Sequence, residues 1–516
     1  MRVIARTAPR RFGRRLWDPF VKSSSYRNPA NGRDSASGKP STDSSQNAPD
    51  RLLGKARTSV RDIGILTVIA LVTRIPMLGI GEADSALFAT GARQWLRGGP
   101  HNLSIYSAQV CAFYYLCVTA LIRWSHLTER NCVMLMSILS LAGGIGILAF
   151  GYLLGVRFVG PRAALAGMLL FAFSPGLWWI TAEPHPQAVS ICFGIAAIWS
   201  FCRYLESGSL LAASSSSLYL AIAIAVKIDA ILMAPALLAL VFWMGTTWRN
   251  VARAAIVTIA AAALAVGLPR LLIGAASRPI VAGKQSVEIF ARIPSLFDLL
   301  RESAPIFFGI GIITTVALFV GAFLSLGKQR DGWRWAAVLA AWCLPGYLFW
   351  LCIAGNNTRH VVAFGIPLFW LGARGLRTAH VAACLLISLL IPPNSNIGLF
   401  PSPNVPGSAR LFAEKRREIG SLADSLAKQS SCVVGSYTND YLANSLLDTG
   451  GRIQSQISSS DVSTATVSMP NGNVVQFKRI NPRQKSLDLG SCQSLEYRRD
   501  GRKVRFLGSE WHLPIV

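Results

Sequence analysis

Apolar stretches long enough to cross a hydrocarbon layer recur from Val60 to Ile391, separated by short polar loops. That pattern leaves the chain few choices. A backbone in lipid has no water to bond, so each stretch of about 20 apolar residues must close its own hydrogen bonds as helix. The stretches run approximately Val60–Ile80, Cys132–Leu154, Ala163–Ile180, Ala188–Phe201, Leu210–Val226, Ala230–Trp243, Ala254–Ile273, Ala304–Leu326, Trp335–Ala354, Arg359–Gly372 and His380–Ile391. They predict an all-α polytopic membrane protein with about eleven transmembrane helices. The chain is 52% hydrophobic and only 15% charged, where soluble domains run near a quarter charged.

A net charge of +26 points first to nucleic acid. For the membrane part that class is excluded, because its Lys and Arg sit in short inter-helix loops, as the positive-inside rule requires. Arg51, Lys55, Arg57 and Arg61 precede the first stretch and put the N-terminus inside. Alternation then assigns Arg157/Arg162, Arg203, Arg249/Arg253, Lys328/Arg330/Arg334 and Arg374/Arg377 to inner loops, and Thr181–Gln187, with no Lys or Arg, to an outer one. The alternation holds only if Tyr106–Ile122 does not cross. It is expected to lie in the outer interface, anchored by Tyr106, Tyr114, Tyr115 and Trp124.

Residues 1 to 57 are rich in Arg, Ser, Pro and Asn, without apolar periodicity, and read as a disordered basic cytoplasmic tail. The twin pairs Arg10-Arg11 and Arg14-Arg15 lack the apolar region a signal needs. The transmembrane domain is expected over 58–391. From Pro392 to residue 516 the chain is polar and falls outside by this count. Helical spacing over Ala409–Ser430, strands at Cys432–Tyr437 and Lys503–Leu507, and a hairpin signal at Asn471-Gly472 predict a small extracytoplasmic α/β domain. Eight of the ten Cys lie in or beside apolar stretches and read as small apolar side chains. Cys432 and Cys492 lie in the polar domain, where an oxidising compartment would allow a disulfide.

Three polar clusters should meet on the outer face. Glu82 and Asp84 stand in Gly81-Glu82-Ala83-Asp84-Ser85-Ala86-Leu87-Phe88, with Arg93 and Arg97 following. Glu183 and His185 stand in Thr181-Ala182-Glu183-Pro184-His185-Pro186-Gln187. Lys227 ends the fifth stretch, and Arg359-His360 opens the tenth. An ionisable group at membrane depth marks a functional site by default. Carboxylates beside cations at a membrane surface suit one chemistry. A carboxylate activates an acceptor hydroxyl as general base. Cations hold and stabilise the phosphate of a lipid-linked donor as leaving group. These residues also have plainer readings: a solvated loop carboxylate at Glu82, plain loop polar residues at Glu183 and His185, a snorkelling Lys227, a topology anchor at Arg359.

The first-loop run resembles that of the GT-C glycosyltransferases, whose protein-mannosyltransferase-like and aminoarabinose-transferase-like members carry Asp-Glu-x-x-Tyr-x-x-Ala. Asp84 matches the family's catalytic Asp, while Ser85 replaces Glu and Phe88 replaces Tyr. Gly160-Pro161-Arg162, Phe173-Ser174-Pro175-Gly176 and the Glu183 loop resemble the third span and second outer loop. Arg359-His360, followed by Pro367, resembles the family's Arg-Tyr segment. The resemblance covers roughly residues 60 to 380. It implies a GT-C fold and, as its activity, transfer of a sugar from a polyprenyl-phosphate donor to a glycan, lipid or protein acceptor at the bilayer's outer face. Asp84, with Glu82 beside it, would be the base. Lys227, Arg359 and His360 would bind donor phosphate, and Glu183 and His185 would meet acceptor, sugar or a divalent cation. With Ser85 in place of a second carboxylate, metal use stays open. The expected compartment is the bacterial inner membrane. A transporter or lipid-linked-sugar flippase is the competing class. It would call for mid-membrane charge and matching broken helices in two halves.

Overall fold

The computed structural model describes residues 48–79, 83–98, 105–244, 248–273, 312–327 and 358–390. It also describes parts of 336–348 and most of 417–435, 444–458, 462–480, 493–494, 503–506 and 509–512. Most of the basic tail, Glu82 and residues 274–303 lie outside those residues. Two compact units are present, Met1–Ile65 and Leu66–Val516. The first described helix, α1 (Ala48–Arg74), begins ahead of residue 58, where ordered chain was expected to start.

The helical part continues with α2 (Ala83–Gly98), α3 (Ile105–Trp124), α4 (Cys132–Val159), α5 (Pro161–Ala172), α6 (Pro175–Ala182), α7 (Pro186–Ser207), α8 (Leu210–Val226), α9 (Ala234–Met244), α10 (Trp248–Ile273), α11 (Ile312–Gly327), α12 (Thr358–Gly375) and α13 (Thr378–Leu390). Among the described residues, three helices are long and apolar enough to cross a membrane: Glu129–Val159, Pro186–Ser207 and Trp248–Gly267. The expected straight span Ala163–Ile180 is broken instead. Its halves, α5 and α6, bend by 73° and count as a fourth span only if taken together. The physical reason is Pro175, which has no N–H to continue the helix and disfavours the α conformation at Ser174.

Small residues set the packing. Side chains at Gly155 and Gly151 on α4 would collide with Ala164 and Met168 on α5, so α5 runs back along α4. The Ser190 hydroxyl donates to the Ala223 carbonyl at 2.9 Å and Ser216 to that of Ala197 at 2.9 Å, which aligns α8 antiparallel to α7. These pairings give the bundle two ends. One holds Arg157 paired with Glu206, Arg203 over the Trp199 ring and Arg253 over the Tyr204 ring. The other holds Ser140, the 181–187 segment and Lys227. The sequence's inner-loop cations Arg157, Arg203 and Arg253 thus gather at the end opposite Lys227.

Two aromatic residues of helix α3 differ from the expected interface anchors. Its Trp124 is exposed, but Tyr114 and Tyr115 are buried. They join a core with Phe88, Ala92 and Trp95 of α2, which recur at helical spacing on one face. Aromatic character alone does not separate a headgroup anchor from a core residue.

In the C-terminal portion, a five-stranded mixed sheet has the order β2-β3-β4-β1-β5. Its strands are β1 (Ser431–Gly435), β2 (Arg452–Ser458), β3 (Val462–Ser468), β4 (Val474–Ile480) and β5 (Gln493–Ser494). The expected hairpin is present: β3 and β4 pair antiparallel about a turn in which Gly472 takes φ 85°, a conformation that favours glycine. A separate pair, β6 (Lys503–Phe506) and β7 (Ser509–His512), follows.

Candidate functional site

The 181–187 segment, read from sequence as an outer loop, is a buried turn. Glu183 is 2% and His185 1% exposed. Local chemistry explains how it is tolerated. Pro184 and Pro186 carry no N–H, so few donors need partners. The His185 N–H is met by the Glu183 carbonyl at 2.7 Å and the Ser140 hydroxyl at 3.0 Å. Ser140 in turn donates to the His185 carbonyl at 2.8 Å. Pro186 then opens α7 at a position that suits proline. Gly143 and Gly144 on α4 make the space, since a side chain at either would strike Ala188 or Thr181.

Helix α2 comes to this turn directly. The Phe88 ring meets the His185 ring edge-on, with centroids 4.7 Å apart. Asp84 stands one turn before Phe88, in the first turn of α2. The chain leading there is tied to the same turn. Arg74, fully buried at the end of α1, donates from Nε to the Thr181 hydroxyl at 2.8 Å, and from Nη2 to the Ala172 carbonyl at 2.7 Å. Its Nη1 donates to the Thr73 hydroxyl at 2.7 Å. The Gly79 N–H then reaches the Ala182 carbonyl at 3.3 Å.

Lys227 caps the C-terminus of α8, and its N–H bonds the Ala223 carbonyl at 3.0 Å. It does not snorkel outward; it is 4% exposed. Its ammonium donates to Gln187 Oε1 at 3.1 Å and lies 3.6 Å from the Asp229 carboxylate, on the short 3-10 turn Ile228–Met233. Gln187 and Asp229 also line a narrow cleft of about 10 Å³, together with Ser190, Met233, Ala363 and Phe364. Arg359 and His360 occupy the first turn of α12, one turn before Ala363 and Phe364. Pro367 inside α12 leaves the Ala363 carbonyl without its helical partner. The Trp342 indole donates to it at 3.2 Å and steadies this part of α12.

Five of the sequence-predicted positions therefore gather at one end of the bundle, by side chain for Glu183, His185 and Lys227 and by backbone for Arg359 and His360. Asp84 joins through Phe88, described at backbone level. Arg93 and Arg97 point elsewhere: Arg93 bonds Asp448, and Arg97 pairs with Glu129 at 2.8 Å. Two members were not foreseen. Asp229 was signalled by a Lys-x-Asp pair inside an apolar run, and Arg74 by a lone cation inside the first stretch. Among the described residues, no three His, Cys, Asp or Glu side chains gather as metal ligands.

No family model matches the sequence, and no curated protein matches it. Solved structures do match in fold. The crystal structure of ArnT from Cupriavidus metallidurans in the apo state is similar over 75% of this chain and 84% of that one, at 16% identity and a TM-score of 0.50. The undecaprenyl phosphate-bound crystal structure of ArnT from the same organism matches over 75% of each chain, at 15% identity and 0.46. The archaeal oligosaccharyltransferase AglB from Archaeoglobus fulgidus, in complex with an inhibitory peptide and a dolichol-phosphate, matches over 76% of this chain and 64% of that one, at 13% identity and 0.47. The chain has a GT-C-like fold, helical with a small C-terminal mixed sheet, and is similar in fold to ArnT over about 75% of its length.

Proposed function

We propose that this is an integral-membrane glycosyltransferase that moves a sugar from a polyprenyl-phosphate donor to a cell-envelope acceptor at the outer face of a bacterial inner membrane. The observation that carries the reading is the convergence at one bundle end of a buried cation, a buried carboxylate–imidazole turn and the helix whose first turn holds Asp84. In the reaction, an acceptor hydroxyl oxygen attacks the anomeric carbon as the bond from that carbon to the phosphate oxygen breaks. Asp84 takes the hydroxyl proton, and polyprenyl phosphate leaves with the bond's electron pair. One displacement inverts the anomeric centre. Lys227, Arg359 and His360 hold the phosphate and stabilise its developing charge. Glu82 supports the base, and Glu183 and His185 contact sugar or acceptor.

The same reading assigns residues 1–57 to a cytoplasmic tail, 58–391 to a transmembrane domain of about eleven spans and 392–516 to an extracytoplasmic domain. The disulfide at Cys432 supports that side, since such bonds persist in oxidising compartments. The test is turnover by purified protein in lipid, offered a panel of polyprenyl-phosphate sugars with envelope acceptors and read as release of free polyprenyl phosphate. Wild type should release it. Asp84→Asn should lose at least about a hundredfold, the usual worth of a general base, with normal membrane insertion. Wild-type release by Asp84→Asn would remove Asp84 from the mechanism.

A further inference from the structure

Arg93 is an outer-face cation that the transfer chemistry does not use, and it is fully buried. It lies on α2, beyond Asp84 by nine residues, or about 13 Å of helix. Its Nη1 donates to both the carbonyl and the side-chain oxygen of Asn444, at 2.9 and 3.0 Å, and its Nη2 to the Asp448 carboxylate. Asn444 donates back to α2, to the Thr90 hydroxyl at 3.0 Å. Just beyond, Gly450 is so close to the Arg130 guanidinium that a Cβ there would lie 2.7 Å from Nη2. The 444–451 segment belongs to the C-terminal portion. The Gly451 N–H bonds the Leu446 carbonyl at 2.8 Å, and a Cβ at Gly451 would meet Val467 of β3 at 2.8 Å.

A guanidinium this deep is tolerated only if its donors are met and its charge is balanced. Partners for Nη1 and Nη2, and the balancing carboxylate, come from residues some 350 positions away in sequence. Undocking that segment would leave Arg93 desolvated without its partners, so α2 would have to shift to rehydrate it. We propose that the C-terminal portion is a positioning element for α2: the Asn444/Asp448 grip on Arg93 sets where the helix that holds Asp84 in its first turn sits. Transfer therefore requires the segment docked. The effect on transfer rests on the glycosyltransferase reading; the grip on α2 does not.

The test uses full-length protein in lipid, with amide hydrogen exchange over residues 85–98 and steady-state kinetics read in parallel. In Arg93→Met, exchange in α2 should rise about tenfold or more as local opening becomes easier. The kcat should fall about ten- to a hundredfold, with donor KM within about twofold, the signature of a misplaced reacting group rather than lost binding. Asp448→Asn, whose side chain is half exposed, should move both readouts the same way by about threefold, and decides the matter if Arg93→Met does not fold. Adding Thr90→Cys with Asn444→Cys to Arg93→Met should restore kcat to within about threefold of wild type when oxidised, and lose it on reduction, because a covalent tie replaces the ionic one. Unchanged exchange in both single variants, with wild type active, would overturn the grip and leave the transferase reading standing. Raised exchange with no transfer by wild type on any donor would do the reverse. Raised exchange with unchanged kcat would refute positioning.

Discussion

Substituting Gly143 with alanine tests how closely α4 and α7 approach beneath the buried turn. A Cβ at residue 143 would lie 2.8 Å from the Ala188 carbonyl carbon, 2.9 Å from its oxygen and 2.9 Å from the Val189 nitrogen. All three are backbone atoms, so no side chain can rotate away. Ordinary contact begins near 3.4 Å, and the helices must part by about 0.5 Å. Overpacking of this kind costs about 1–3 kcal/mol, and alanine's better helix propensity returns at most about 1 kcal/mol. The net loss is about 1–2 kcal/mol. Gly267→Ala is the control: it is the same chemical change in α10, at an exposed position with nothing within 4 Å. There only the propensity gain applies. Apparent melting temperatures in lipid at one scan rate should fall by about 1–2 °C for Gly143→Ala and hold or rise slightly for Gly267→Ala. Because Ala188 follows His185 by less than a turn, Gly143→Ala should also lower transfer about tenfold. Equal melting temperatures in the two variants would refute the close approach and, with it, this account of how the turn is buried.

Three further outcomes follow from the same contacts. Asp229→Asn should lower donor KM about three- to tenfold, because donor phosphate no longer competes with a carboxylate for Lys227, while Lys227→Ala should raise it; opposite signs are required. Arg74→Lys should destabilise more than Arg74→Met, by about 1–2 kcal/mol in thermal melts, since lysine keeps a buried charge without the three-way fork and methionine removes charge and bonds together. Cys432 should resist maleimide until reduction, and peptide mapping should find it joined to Cys492, the other cysteine of the polar C-terminal portion; labelling of Cys432 without reductant would refute this.

The bundle was legible because lipid admits so few backbone solutions. The helices at Cys132, Pro186 and Trp248 fall where apolar length required them, and the Asn471-Gly472 turn follows from a φ that few residues adopt. The break at Pro175 was also written in the chain, but apolar length outweighed a proline signal that should have ended the span. Other features were not local. Nothing near Glu183 and His185 says they are buried, because the space is made by Gly143 and Gly144 on another helix. Tyr114 and Tyr115 carry the composition of interface anchors and turn inward, since the face of α2 they meet is assembled from a separate segment. The bond from Arg93 to Asp448 joins residues 355 apart, a distance across which composition and period carry no information.

Burial also changes what donor binding would cost. Lys227 is already desolvated, with Gln187 and Asp229 satisfying it in a site that excludes most water. A phosphate arriving there would meet a cation whose dehydration was completed when the protein folded, so its affinity depends on an exchange of partners, phosphate for Asp229, rather than on stripping water from an exposed lysine. The same holds at the turn. His185 is fixed through its backbone by Ser140 and through its ring by Phe88, before any substrate is present. Groups fixed this way need little reorganisation when charge develops on the leaving phosphate. An exposed site with the same residues would lack that advantage, which is why displacing the backbone behind the turn should reduce transfer although no proposed catalytic side chain has been changed.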